Sequence, residues 1–169
     1  NHLSTRELNL LGNIFDGNFL LPPSNRGFGW RSHDEAAYSI FFKHHTAPKT
    51  SGEAVIYFTG AKPKNMTLLS QLLLLEPGRF KLKGEVMTEH LKAGEGLYWE
   101  LSCQDGRVMN QPLLFSGSSS WHGFETVFET PRNRGCEVQR LSLKIREDIN
   151  QPFRYDGSIV FRALNMERF

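Results

Sequence analysis

Between Gly117 and Pro131 a serine-rich approach, Ser118-Ser119-Ser120, leads into Trp121-His-Gly-Phe124-Glu-Thr-Val-Phe128-Glu-Thr and stops at proline. Trp121, Phe124 and Phe128 fit a helical spacing, so periodicity alone leaves the segment open. Its other properties favour a strand. Thr126, Val127 and Thr130 are β-formers, and Gly123 would weaken a helix. Phe124, Thr126, Phe128 and Thr130 then share one face, with Glu125 and Glu129 on the other. A strand this rich in aromatics needs a second apolar layer to cover it, which points to an all-β chain. Trp121, Phe124 and Phe128 are all expected in that core.

The rest of the chain repeats the same grammar. Tyr38–Lys43 alternates Tyr38, Ile40 and Phe42 with Ser39, Phe41 and Lys43. Glu53–Thr59 alternates Ala54, Ile56 and Phe58 with Val55, Tyr57 and Thr59. Leu97, Trp99, Leu101 and Cys103 alternate with Tyr98, Glu100 and Ser102, and Leu141, Leu143 and Ile145 share a face. Thr67–Leu75 has enough leucine for a helix, but it is short and ends at Glu76-Pro77-Gly78, so a strand is expected. Pro112–Phe115 is expected to be a further short strand. Asp16-Gly17, Asp105-Gly106 and Asp156-Gly157 are turn pairs. About ten strands separated by such turns make an antiparallel β-sandwich of jelly-roll type the expected architecture. Trp30, arriving after the loop Leu20–Gly29, is expected to plug the core.

The 169 residues suit one domain spanning 1–169, with 13 phenylalanines supplying much of its apolar mass. A formal charge of +2, from 20 basic and 18 acidic residues, gives no footprint for nucleic acid or an anionic membrane. No apolar run approaches the roughly 20 residues of a membrane-spanning helix. The sequence begins at Asn1 without methionine, so it is expected to be a piece of a longer protein. Cys103 and Cys136 are too few for a four-cysteine zinc site. On cysteine usage alone they read equally as two buried thiols or as a disulfide.

Several of these segments resemble carbohydrate-binding modules of families four and nine. Asn13-Ile-Phe-Asp16-Gly17-Asn18-Phe19 followed by Gly29-Trp30 is similar to their opening. Gln71 through Leu75-Glu76-Pro77-Gly78-Arg79-Phe80-Lys-Leu82 is similar to their strand, Pro-Gly turn and aromatic strand. Trp121, Phe124, Phe128 and Pro131, and the closing Asp156-Gly157-Ser-Ile159-Val-Phe161, complete the likeness. It covers nearly the whole chain and implies a galactose-binding-like jelly roll. Related domains occur at the ends of bacterial tetratricopeptide-repeat proteins, and the surroundings of Cys103 and Cys136 look closest to those. That likeness implies a Cys103–Cys136 disulfide and a location outside the cytoplasm, periplasmic or secreted. Two departures concern the structural calcium such modules hold. Leu20 stands where a Glu is usual, and Phe161-Arg162-Ala163-Leu164 replaces an acidic pair, so calcium is not expected here.

The familiar catalytic signatures are missing from the sequence. Gly117-Ser-Ser-Ser120-Trp121 lacks the second glycine of a nucleophile elbow, and Gly27-Phe-Gly29 opens no nucleotide fingerprint. His44-His45 would point to opposite sides of a strand. Glu125 and Glu129 share a strand face about 13 Å apart, wider than glycosidase carboxylates. The expectation is a non-catalytic accessory domain without a cofactor, binding a polysaccharide or oligosaccharide and joined to other domains of a parent protein. The alternative is a protein-interaction or structural domain that keeps the fold without a sugar site. Sugar recognition needs rings against pyranose faces and planar polar groups for hydroxyls. Tyr57, Gln71, Tyr98, Glu100 and Arg140 are the candidate ligand-binding residues, each expected to face outward from a sheet. Trp99 is expected in the core.

Overall fold

The computed structural model describes residues 14–44, 52–109, 111–132, 134–150 and 154–169. Their elements in chain order are β1 (Arg31–Ser32), β2 (Tyr38–His44), β3 (Gly52–Thr59), β4 (Thr67–Leu73), β5 (Gly78–Ala93), β6 (Gly96–Cys103), β7 (Gly117–Thr130), β8 (Gln139–Arg146) and β9 (Tyr155–Arg168). They form a four-stranded sheet, β1-β4-β8-β6, and a five-stranded sheet, β2-β3-β9-β5-β7. Every pairing is antiparallel. The all-β jelly-roll sandwich expected from the alternation is the observed architecture. The segment around Pro112–Phe115 is the exception. It contributes only an isolated bridge, Leu97 to Phe115, rather than a strand.

The period-two pattern explains the core directly. Leu97, Trp99 and Leu101 of β6 face Leu141, Leu143 and Ile145 of β8, and all six are buried. From the other sheet, Ala54 and Ile56 of β3 face Phe161 and Ile159 of β9. Aromatic rings join the layers. Trp99 meets Phe161 edge-on at 5.2 Å, Phe161 meets Phe115 at 5.5 Å, and Phe115 meets Phe124 at 5.1 Å. These edge-to-face geometries add to the hydrophobic gain from burial. Trp30 is 2% exposed and lies 6.0 Å from Trp99, so it does plug the core.

The Asp16-Gly17 turn closes one edge of this core. The Asp16 carboxylate accepts the backbone N–H groups of Leu20 and Leu21 at 2.8 and 2.9 Å. The Trp30 indole N–H donates to the Asp16 carbonyl at 3.0 Å. Burial pushes the Asp16 carboxyl above its ordinary value, and the two backbone donors pull against that shift. Gly17 lies so close to β9 that a Cβ there would sit 1.9 Å from the Leu164 carbonyl oxygen. Only glycine permits the Leu164 N–H to reach the Gly17 carbonyl at 3.0 Å.

Cys103, at the end of β6, and Cys136, just before β8, form a disulfide with sulfurs 1.99 Å apart. No free cysteine remains. The bridge ties together strands that already pair along β6 and β8. Two expectations need correcting. Trp121 is not in the core: it is half-buried on the outer side of β7, while Phe124 and Phe128 point inward. The physical reason is strand parity, because Phe124 follows Trp121 by three positions, an odd number that places them on opposite faces. Gln71 does not face solvent, as described next.

Candidate functional site

The five residues singled out from the sequence do not meet in one place. Gln71 is fully buried on the inner side of β4, in the row that holds Leu69 and Leu73. Its amide accepts the Phe15 N–H at 2.9 Å and donates to the Phe15 carbonyl at 2.6 Å. A buried amide side chain thus satisfies both backbone groups of a residue outside the sheet. Gln139 plays the same part for Leu75, accepting its N–H at 2.8 Å and donating to its carbonyl at 3.3 Å.

Tyr98, Glu100 and Arg140 share the outer face of the four-stranded sheet. In cross-strand register, Tyr98 stands opposite Lys144, Glu100 opposite Ser142, and Ser102 opposite Arg140. The charges here are engaged with one another. Lys144 Nζ lies 3.2 Å from Glu100 Oε2, and their side chains are 33% and 12% exposed. Arg146 pairs with Glu95 at 2.9 Å. Partial burial raises the Tyr98 hydroxyl above the usual tyrosine value, and the Glu100 charge adds to this. Lys144 and Arg146 oppose it. Small buried hydroxyls, Ser70 and Ser142, occupy the middle of this face.

Tyr57 lies on the opposite side of the molecule, on the outer face of the five-stranded sheet. There the register builds a different surface. Phe41 of β2, Val55 of β3, Val160 of β9 and Met87 of β5 form one continuous row across four strands. Outward positions of a solvated sheet are ordinarily polar, so an apolar row on this side is informative. Its middle is covered and its edge exposed: Val55 and Val160 are 5% and 6% exposed, whereas Phe41 is 44% exposed. In the adjacent row stands Tyr57, 49% exposed, its ring nearly parallel to that of Phe41 at 6.0 Å and 19°. Polar residues flank the apolar row on both sides. Ser39, Ser158 and Glu89 align with Tyr57. On the other flank Lys43 pairs in register with Glu53, and Glu85 with Arg162.

Arg162 closes the far end of the row. Its Nε donates to Glu85 at 2.8 Å, and its guanidinium lies 3.8 Å from the centre of the Trp121 ring. One face of Trp121 is therefore covered by a fixed cation. Phe41 and Tyr57 form a stacked, exposed pair on this face, and of the two only Tyr57 is a candidate from the sequence. Phe41 carried a signal of its own, a phenylalanine at a polar-phase position between Ser39 and Lys43. Among the described residues, no three or more His, Cys, Asp or Glu side chains are placed to hold a metal ion. At the two positions where the resemblance puts calcium carboxylates, Leu20 donates its N–H to Asp16 and Arg162 pairs with Glu85. Glu85 and Glu100 lie on opposite outer faces, so they do not share a cleft.

No protein-family model matches this chain, and no curated protein matches it. Solved structures do. A CBM4 structure is similar with a TM-score of 0.62 at 12% identity, covering 92% of this chain and 99% of its own. A family 16 carbohydrate-binding module is similar with a TM-score of 0.58 at 15% identity, over 93% of this chain and 100% of its own. The CBM22-1 xylan-binding domain from Paenibacillus barcinonensis Xyn10C is similar with a TM-score of 0.55 at 9% identity, over 89% and 90%. At these identities the likeness establishes a shared fold, that of carbohydrate-binding-module jelly rolls.

Proposed function

We propose that this chain is a non-catalytic carbohydrate-binding module and that the outer face of the five-stranded sheet receives the saccharide. The observation that carries this reading is the stacked, half-exposed pair Phe41 and Tyr57 beside the apolar row through Val55 and Val160. A pyranose presents C–H bonds on its faces and hydroxyls at its rim. Aromatic rings take the faces, and planar polar side chains take the hydroxyls. Tyr57 and Phe41 supply the rings. Lys43, Glu85 and Arg162 flank the row and suit the rim hydroxyls. The row crosses four strands, which suits contact with more than one sugar unit of a polysaccharide or oligosaccharide. Solved structures of the same fold include modules named for carbohydrate or xylan binding, which supports the assignment.

The module works outside the cytoplasm, in the periplasm or beyond, as one domain of a longer protein. The Cys103–Cys136 disulfide supports an oxidising compartment. Affinity electrophoresis in gels containing soluble polysaccharides, run beside a glycan array, tests the function. Retardation on at least one polysaccharide is the expected outcome. Free migration on every polysaccharide, with an empty array, would overturn it in favour of a protein-interaction domain.

A further inference from the structure

Strand β5 slips out of register with both of its neighbours at one place. Against β7 the shift falls between Thr88 and Leu91, and against β9 between Glu89 and Lys92. The shared residue is His90, a non-glycine at φ 47°. Gly157 of β9 makes room for it, because a Cβ there would lie 2.2 Å from the His90 carbonyl oxygen. Bulges of this kind re-aim side chains and recur beside functional sites. Here the bulge turns both Glu89 and His90 outward while Leu91 stays buried. A groove of about 460 Å³ opens next to it, lined by His90, Lys92, Glu95, Ser116, Ser118 and Arg154 among others. That volume falls within the usual range for small-molecule sites.

The chemistry of the lining has a sign. Lys92 and Arg154 are exposed cations, and His90 is a third basic side chain. The carboxylate in the lining, Glu95, is committed to Arg146 at 2.9 Å. Ser118 Oγ already accepts the His90 N–H at 2.9 Å, so its own O–H is left to donate outward. Donors and cations outnumber acceptors, which is the arrangement an oxyanion needs. The groove is also distinct from the Phe41–Tyr57 face, since none of its lining residues belongs to β2 or β3.

We propose that this groove at the end of the sandwich binds the carboxylate or sulfate of an acidic sugar residue, with Lys92 and Arg154 as its charge partners and Ser118 as a hydroxyl donor. The sugar part of the assignment rests on the carbohydrate-binding reading; the anion part rests on the groove alone. Backbone-amide NMR titration of the chain with galacturonate, with glucose 6-sulfate and with neutral galactose tests it. The account expects the amides of Gly94, Gly117 and Ser118 to shift with one or both acidic sugars, which separates carboxylate from sulfate as the preferred group, and not with galactose. Lys92→Ala with Arg154→Ala should weaken that binding by about tenfold or more at unchanged melting temperature. Equal shifts with galactose, affinity unaltered in the double variant, or no shift at these amides with either acid would overturn the proposal. Tyr57→Ala leaves these shifts intact, so failure of this site and failure of the Phe41–Tyr57 face are told apart.

Discussion

The two outer faces of this sandwich are built by the same alternation and carry different side chains. On the four-stranded sheet the outward residues pair off among themselves: Lys144 with Glu100, and Arg146 with Glu95. Serines rather than rings occupy its middle. On the five-stranded sheet the outward positions include Phe41, Val55, Tyr57, Val160 and Met87. An exposed aromatic pair forfeits the hydrophobic gain that burial gives rings such as Trp30, Trp99, Phe128 and Phe161. The contrast teaches that inward residues define the fold on both sheets. On the proposed function, what separates the faces is outward residues whose neighbours lie on other strands.

The disulfide serves the four-stranded side alone, so its removal separates the two faces most strongly. The bridge closes a 33-residue separation. Cys103→Ser with Cys136→Ser should cost about 3 to 4 kcal/mol on the chain-entropy estimate. Thermal or urea denaturation would read this as a large drop in midpoint, while saccharide affinity of the folded protein stays unchanged. A loss of affinity in parallel would show that the faces are not independent. Next in size is Phe41→Ala, which should lower saccharide affinity by about tenfold, or roughly 1.4 kcal/mol, with little effect on melting temperature. Titration calorimetry measures it. Trp121→Ala removes the ring under Arg162, and a cation–π contact at a partly exposed site contributes about 0.5 to 1 kcal/mol. A small loss of stability is expected, with a change in ligand preference because Arg162 gains freedom.

The smallest effect belongs to the polar face. Glu100→Gln should change stability by less than about 1 kcal/mol, since Lys144 remains partly in solvent. Its clearer readout is Tyr98. The folded-state value of Tyr98 is raised, so the stability it contributes is fully present below the unfolded tyrosine value near 10. That contribution is lost as pH rises through the folded value. Removing the Glu100 charge moves the folded value back toward the ordinary one and narrows this alkaline window. Ultraviolet titration of tyrosine in the two proteins would show it, and an unmoved Tyr98 would contradict the electrostatic account of this face.

The sandwich was legible because Leu97, Trp99, Leu101 and Cys103 alternate without interruption against Tyr98, Glu100 and Ser102. Such a pattern admits one inward face. Gln71 was misplaced because Leu68, Leu69, Leu72 and Leu73 offer two competing phases. A register irregularity between Thr67 and Leu69 lets both Leu68 and Leu69 point inward, and Gln71 follows Leu69 and Leu73. Trp121 was misplaced by grouping it with Phe124 and Phe128 for their aromaticity rather than by strand parity. The pairing of Phe41 with Tyr57 was not legible at all. Each residue stands alone in its own strand, and only the β2–β3 register brings the rings within 6.0 Å. The His90 bulge was equally hidden, because it depends on register with two strands distant in sequence.

Affinity electrophoresis of Tyr57→Ala beside Tyr98→Ala, on whichever polysaccharide retards the unaltered protein, decides which sheet receives the saccharide. Both tyrosines face outward, one from each sheet. The account predicts that Tyr57→Ala loses most of the retardation and Tyr98→Ala keeps it. Retardation kept by Tyr57→Ala and lost by Tyr98→Ala would contradict it and move the saccharide to the four-stranded face.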